Sequence, residues 1–97
     1  MTPTETQRKI DRRLARVEGQ IRGIRKMVRE RAYCIEVLTQ IAAARAAMNQ
    51  VAAAVVSGHV QGCILDVPEG HKHAQSTKMS HEDLLVELEI TLSRLMR

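Results

Sequence analysis

The sequence predicts an all-α protein with three helices, in which a long hairpin of helices 1 and 2 precedes a short helix 3. Apolar residues recur at alternating spacings of three and four, the period of an amphipathic helix, and no segment alternates as a strand does. Tyr33 is the one aromatic residue, so the core consists of aliphatic side chains and methionine. A chain of 97 residues is expected to form a single domain over residues 1–97, and its thin core favours oligomerisation.

Helix 1 is predicted to begin in a Thr-Pro-Thr-Glu segment. We expect Thr2 as its N-cap, Pro3 at the first helical position and Glu5 as the second partner of a capping box. The helix is expected to end within residues 27–31. Its apolar stripe comprises Ile10, Leu14, Val17, Ile21, Ile24 and Val28.

Helix 2 is predicted to begin near Tyr33 and to continue to about Ile64. Eight of the residues 42–54 are alanine, and a helix that is apolar on most sides is expected to be buried by partner subunits. Gly58 and Gly62 flank His59, which predicts an irregular end to the helix. The apolar seam comprises Cys34, Val37, Ile41, Ala44, Met48, Val51 and Val55.

Residues 66–79 are rich in turn-forming and polar residues and are predicted to be a loop. Ser80, followed by Asp83, is expected to cap helix 3. Its apolar stripe comprises Leu85, Leu88, Leu92 and Leu95.

Basic residues are concentrated near the start of the chain. Residues 1–31 hold ten Lys or Arg against four acidic residues, whereas the remainder is slightly acidic. Such a block indicates either a polyanionic partner or a solvated helix face. No helix-turn-helix pattern is present, so DNA binding would depend on charge and DNA shape, and the lack of Trp and Phe disfavours a membrane surface. The expected phosphate contacts are Arg8, Lys9, Arg12, Arg13, Arg16, Arg22 and Arg45.

The residues most typical of a chemical site are Cys34, His59 and Cys63. His59 and Cys63 are four residues apart and would lie on one side of a helix, where they can share a metal ion. Cys34 is 25 residues before His59, which corresponds to about 37 Å along a continuous helix. Either helix 2 breaks, or Cys34 meets the His59–Cys63 pair of another chain, as an antiparallel helix pair allows.

Two thiolates and one imidazole form a soft donor set. Such donors select Cu(I) or zinc, and the lack of an obvious fourth cysteine favours Cu(I). The alternative is that both cysteines are inert apolar residues. Because no signal peptide or long apolar span is seen, we expect a cytoplasmic protein without a structural disulfide.

Other candidate sites are less specific. His71 and His73 could bind a harder metal or simply face solvent. No nucleophile has a credible base partner and no glycine-rich phosphate loop precedes a helix, so we expect no enzymatic activity.

Three segments resemble the copper-sensitive operon repressor (CsoR/RcnR) family of metal-responsive transcriptional repressors. They are residues 12–24 (RRLARVEGQIRGI), 33–41 (YCIEVLTQI) and 58–63 (GHVQGC), and the likeness covers nearly the whole chain. The resemblance implies three helices, an antiparallel four-helix-bundle dimer of hairpins, and a homotetramer formed as a dimer of dimers. It implies a repressor that binds operator DNA when metal-free and releases it on binding Cu(I).

The resemblance also implies roles for individual residues. The family's copper ligands fall on Cys34, His59 and Cys63, with the first cysteine donated across the dimer, and its second-shell residues fall on Tyr33 and Glu87. A DNA-contacting arginine falls on Arg13. A second basic position of copper sensors is Gln50 here, and Arg45 is the candidate replacement.

Three alternatives stay open. Thiol-based sulfane-sulfur or redox sensors of this fold use two cysteines without the intervening histidine. Nickel and cobalt sensors replace the second cysteine by histidine and add an N-terminal histidine. A zinc-stabilised helical interaction protein would have no role at DNA.

Overall fold

A computed structural model describes residues 4–67 and 70–97, and its regular structure is entirely helical. The three α-helices are α1 (Glu5–Arg29), α2 (Cys34–His59) and α3 (His81–Leu95). A π-helical turn, Val60–Ile64, continues directly from α2, and a short 3-10 helix, Ala74–Lys78, precedes α3. The prediction of an all-α fold with three helices is confirmed. In these ranges no helix has both the length and the apolar character of a membrane span.

Helix α1 begins two residues later than predicted. Its N-cap is Thr4, whose hydroxyl accepts a hydrogen bond of 3.1 Å from the Gln7 backbone N–H, while the Gln7 side chain accepts one of 2.8 Å from the Thr4 backbone N–H. This reciprocal pair satisfies two N–H groups that a helix start leaves free. The expected capping box of Thr2 and Glu5 is therefore wrong, and Thr2 and Pro3 themselves lie outside the described residues.

The turn between α1 and α2 places Arg31 in the left-handed region, at φ 56°. The backbone N–H of Arg31 bonds to the Val28 carbonyl at 3.2 Å, and that of Ala32 bonds to the Met27 carbonyl at 2.9 Å. These two bonds form a Schellman motif, which usually has glycine at the left-handed position. The motif ends α1 and lets α2 begin at Cys34.

The first compact unit ends at Val55, and its buried core is small. Val17 of α1 and Ala44 and Val51 of α2 are buried. Larger apolar side chains of both helices stay partly exposed, among them Ile21 at 49% and Met48 at 44%. One chain therefore leaves much of the predicted apolar stripe uncovered, as an Ala-rich helix hairpin without large side chains would.

The second compact unit, Val56–Arg97, is built around the irregular end that the glycines predicted. The π-helical turn packs against α3, where Leu84 is almost fully buried. The loop prediction for residues 66–79 is only partly right, because five of these residues form the 3-10 helix. The Ser76 hydroxyl and backbone N–H both bond to the His73 carbonyl, which closes the first turn of that helix. Ser80 caps α3 by accepting a hydrogen bond from the Asp83 N–H, as predicted.

Candidate metal centre

His59 and Cys63 line one cavity of about 270 Å³ in the second unit. His59 is the last residue of α2, and Cys63 lies in the π-helical turn that follows. His73, Met79 and Glu87 line the same cavity. The structure thus brings three of the sequence-derived site residues, His59, Cys63 and Glu87, to a common space.

The loop that follows the π-helical turn folds back over it. The His71 backbone N–H donates a 2.7 Å hydrogen bond to the Gly58 carbonyl, and the Cys63 thiol donates a 2.9 Å bond to the His71 carbonyl. A Cβ atom on Gly62 would collide with the His71 backbone, so the absence of a side chain permits this contact. Small residues at two positions of the helix end therefore let the loop approach Cys63.

An exposed ion pair closes the same loop. The Lys72 ammonium lies 2.7 Å from the Asp66 carboxylate, and Asp66 has the left-handed φ of 57° that Asp tolerates better than most residues. The hydrogen bond and the charge of Lys72 lower the pKa of Asp66. The same two causes, from Asp66, raise the pKa of Lys72, with a smaller contribution from the nearby Cys63.

Cys34 belongs to the first unit and is exposed as the first residue of α2. It lines an apolar recess of about 480 Å³ together with Val28, Ala32, Val37 and Leu38, and Arg31 lies at its edge. Tyr33, the neighbouring candidate, is 68% exposed. Among the residues described, no three His, Cys, Asp or Glu side chains are grouped closely enough to hold a metal ion. One chain by itself therefore presents partial donor sets.

The basic candidates are spread over the exposed surface of α1 and α2. Arg8 and Arg12 each approach the Glu5 carboxylate at 3.4 Å in exposed ion pairs, which contribute little to stability. Arg45 lines a groove of about 650 Å³ between α1 and α2. Arg25 and Arg29, which are not among the expected phosphate contacts, line it too. The remaining candidates, all on α1 and all exposed apart from half-buried Arg13, are Lys9, Arg13, Arg16 and Arg22.

The spacing of residues along the chain did not indicate that His73 and Met79 line the cavity of His59 and Cys63. His73 belongs to a His-Lys-His segment whose spacing suggested a separate, weaker metal site. Its position on the cavity that Cys63 lines depends on the fold of the loop, for which the periodicity of the sequence carries no signal.

The comparisons with known proteins agree on one family. A model of metal-sensitive transcriptional repressors matches residues 6–92. The copper-sensing transcriptional repressor RicR of Mycobacterium tuberculosis is 40% identical over 87 residues, which cover 89% of this chain and 83% of RicR. The copper-sensing transcriptional repressor CsoR of Bacillus subtilis is 46% identical over 57 residues, and this match covers 59% of the chain and 56% of that protein.

Two solved structures of metal-responsive regulators share this fold. The copper-sensing repressor CsoR with Cu(I) from Geobacillus thermodenitrificans superposes with a TM-score of 0.78 at 32% identity, covering 100% of this chain and 94% of the other. The nickel-responsive transcriptional regulator InrS superposes with a TM-score of 0.68 at 35% identity, covering 97% of each chain.

Proposed function

Since the chain belongs to the family of metal-sensitive transcriptional repressors, we propose that it binds operator DNA when metal-free and releases it on binding Cu(I). The observation that carries the proposal is the shared cavity of His59 and Cys63, which offers one imidazole and one thiol to a single ion. Cu(I) prefers soft sulfur donors and can be three-coordinate.

The third ligand in this proposal is Cys34 of a second chain. Helix α2 is unbroken from Cys34 to His59, and a helix of that length separates its ends by about 37 Å. Cys34 therefore cannot bind the same metal ion as the His59 of its own chain. An antiparallel pairing of two α2 helices brings each Cys34 to the partner's His59–Cys63 pair, and the exposed apolar side chains of α1 and α2 supply the surface for such a dimer and its tetramer.

The donor chemistry of the described residues fits Cu(I). Cys34 and Cys63 are both free thiols, and the Cys63 thiol donates a hydrogen bond to a carbonyl oxygen. When bound, the ion would supply a link between two chains. Glu87, on the wall of the same cavity, can accept a hydrogen bond from an imidazole N–H and so hold His59 in one orientation. We also place Tyr33 at this centre, next to Cys34, which is the cysteine that its chain donates to the partner's His59–Cys63 pair.

The DNA-binding half of the proposal depends on the basic surface of α1 and on Arg45. The arginines there are exposed or half-buried. The sequence carries no helix-turn-helix pattern that would place a recognition helix in a DNA groove. Phosphate contacts and DNA shape would then supply the affinity. A cytoplasmic location follows from this proposed role.

The experiment is a titration of the complex between the protein and its own promoter DNA with Cu(I), Ni(II), Zn(II) and polysulfide in separate arms. We expect one Cu(I) per chain to release the DNA from the wild type. The Cys34→Ala variant should bind the DNA normally and stay bound in excess Cu(I). The Ser93→Ala variant is a control, because the exposed Ser93 of α3 lines neither cavity that Cys63 lines, and it should respond as the wild type does.

Three outcomes would overturn the proposal. Release of Cys34→Ala by Cu(I) would exclude the assigned site. Release by polysulfide alone, with a crosslink between Cys34 and Cys63 of two chains, would identify a sulfane-sulfur sensor. Unaltered mobility of the DNA at low salt would favour a helical interaction protein without a role at DNA.

A further inference from the structure

We propose that His73 is a fourth ligand that this chain adds to the centre for divalent ions such as Zn(II). The inference rests on the proposed function, because it assumes that His59 and Cys63 bind a metal together with the partner's cysteine. It goes beyond that function by giving the centre a second mode of metal coordination, with four donor side chains instead of three.

The first support is the place of His73 in the molecule. It lines the same cavity of about 270 Å³ as His59 and Cys63, and all three belong to the second compact unit. Together with one further cysteine they form a set of two imidazoles and two thiolates. That set is typical of tetrahedral zinc, which usually takes four ligands.

The second support is the way in which the loop holds His73. Its carbonyl accepts hydrogen bonds from the backbone N–H of Ser76, at 3.1 Å, and from the Ser76 hydroxyl, at 2.7 Å, and Ser76 is buried. The preceding loop is attached to the helix end by the bonds of His71 to Gly58 and Cys63. The backbone of His73 is thus fixed beside the cavity, while its side chain is exposed.

The neighbouring His71 is unsuited to the same role. Its ring packs against Gly58, where a Cβ atom would come within 2.6 Å of it, and its Nε2 atom is buried without a hydrogen-bond partner among the described residues. The ring centres of His71 and His73 are 6.4 Å apart, but His73 lines the cavity of His59 and Cys63 and His71 does not. One histidine holds the loop against the helix, and the other is available to an ion.

His73 does not yet converge with His59 and Cys63, since the described residues contain no preformed group of three such ligands. The imidazole therefore turns inward when a divalent ion is present. Cu(I) is satisfied by three soft donors and does not require it. This predicts that His73 affects the affinity for divalent ions and leaves the affinity for Cu(I) unchanged.

The test compares full-length wild type with His73→Ala, His73→Cys and the control Ser93→Ala. Zn(II) and Cu(I) affinities are measured by competition with chelators, and Co(II) serves as a spectroscopic probe of coordination number. We expect His73→Ala to weaken Zn(II) at least about tenfold and to lose the strong visible absorption of tetrahedral Co(II). Its Cu(I) affinity and metal-free melting temperature should equal those of the wild type. The His73→Cys variant should restore Zn(II) binding and add sulfur-to-cobalt charge transfer.

The inference is overturned if His73→Ala binds Zn(II) as tightly as Ser93→Ala does, or if it weakens Zn(II) and Cu(I) equally while lowering the melting temperature. Cys34→Ala and Cys63→Ser separate this failure from failure of the proposed function. If these two variants lose metal binding and His73→Ala does not, only the role of His73 is wrong. If they also bind metal normally, the proposed centre itself is wrong.

Discussion

The Cys63 thiol donates a 2.9 Å hydrogen bond to the backbone carbonyl of His71, and this contact ties a candidate metal ligand to the loop above it. A cysteine binds metal as the thiolate, which has no proton to donate. Binding of Cu(I) should therefore remove the bond and loosen the loop. We expect the His71 amide, bonded to the Gly58 carbonyl, to exchange its hydrogen faster in the Cu(I)-bound protein. Hydrogen exchange measures this, with the α3 amides as an internal control, and equal or slower exchange would contradict it.

A methyl group at Gly62 should destabilise the second unit. Its Cβ would collide with the His71 backbone, so we expect Gly62→Ala to cost about 1–3 kcal/mol, as overpacking does. Gly23→Ala is the matched control, because no atom lies near its Cβ position and alanine favours a helix by up to about 1 kcal/mol. Urea denaturation measures both. Equal stability of the two variants would contradict the close approach at Gly62, and a loss at Gly23 would show a second chain packed there.

Replacing Arg31 by glycine should stabilise the turn between α1 and α2. The left-handed conformation of Arg31 costs a residue with a Cβ roughly 1 kcal/mol, and glycine avoids that cost. We expect Arg31→Gly to raise the free energy of unfolding by roughly 0.5–1 kcal/mol. Arg25→Gly, inside α1, should instead lower it by about 1 kcal/mol. Thermal unfolding of both variants checks the opposite signs, and a loss of stability in Arg31→Gly would contradict the prediction.

The ion pair of Asp66 and Lys72 predicts a particular response to pH. Because the pKa of Asp66 is lowered, its contribution to stability is present above the ordinary pKa of Asp and is lost as the pH falls through the lowered value. Because the pKa of Lys72 is raised, its contribution is present below the ordinary pKa of Lys and is lost as the pH rises through the raised value. We expect Lys72→Gln to return the pKa of Asp66 upward toward its ordinary value.

Carboxyl NMR titration of Asp66 measures this change directly. Lys78→Gln removes the same charge from the 3-10 helix and serves as the control, with no expected effect on Asp66. A pKa of Asp66 that stays low without Lys72 would show that another group stabilises the carboxylate.

Loss of a basic residue on α1 should weaken DNA binding in a way that depends on salt. If Arg13 contacts a phosphate, Arg13→Gln reduces the slope of log affinity against log salt by about 1 and lowers affinity for all sequences alike. Arg97→Gln, which removes an arginine at the other end of the chain, should leave the slope unchanged. Fluorescence anisotropy over a range of salt concentrations measures both slopes, and equal slopes for Arg13→Gln and the wild type would exclude that contact.

The sequence alone determined the helices, because helix formation follows from local spacing and from capping chemistry. The periodic apolar residues located α1, α2 and α3, and Ser80 with Asp83 located the start of the last helix. Gly58 and Gly62 indicated the irregular end of α2. The prediction of a capping box formed by Thr2 and Glu5 was wrong, because Thr4 and Gln7 form a capping box with the same chemistry two residues later. The spacing of the residues does not tell which of the two pairs caps the helix.

Only the tertiary structure decided what surrounds His59 and Cys63. The family resemblance already indicated Glu87, but His73 and Met79 reach the cavity through a loop that folds back on Gly58 and Gly62. Such contacts join residues that are distant along the chain and leave no periodic trace in it. The physical reason is that the path of the loop follows from hydrogen bonds and the space left by two glycines, which exist only once the chain has folded.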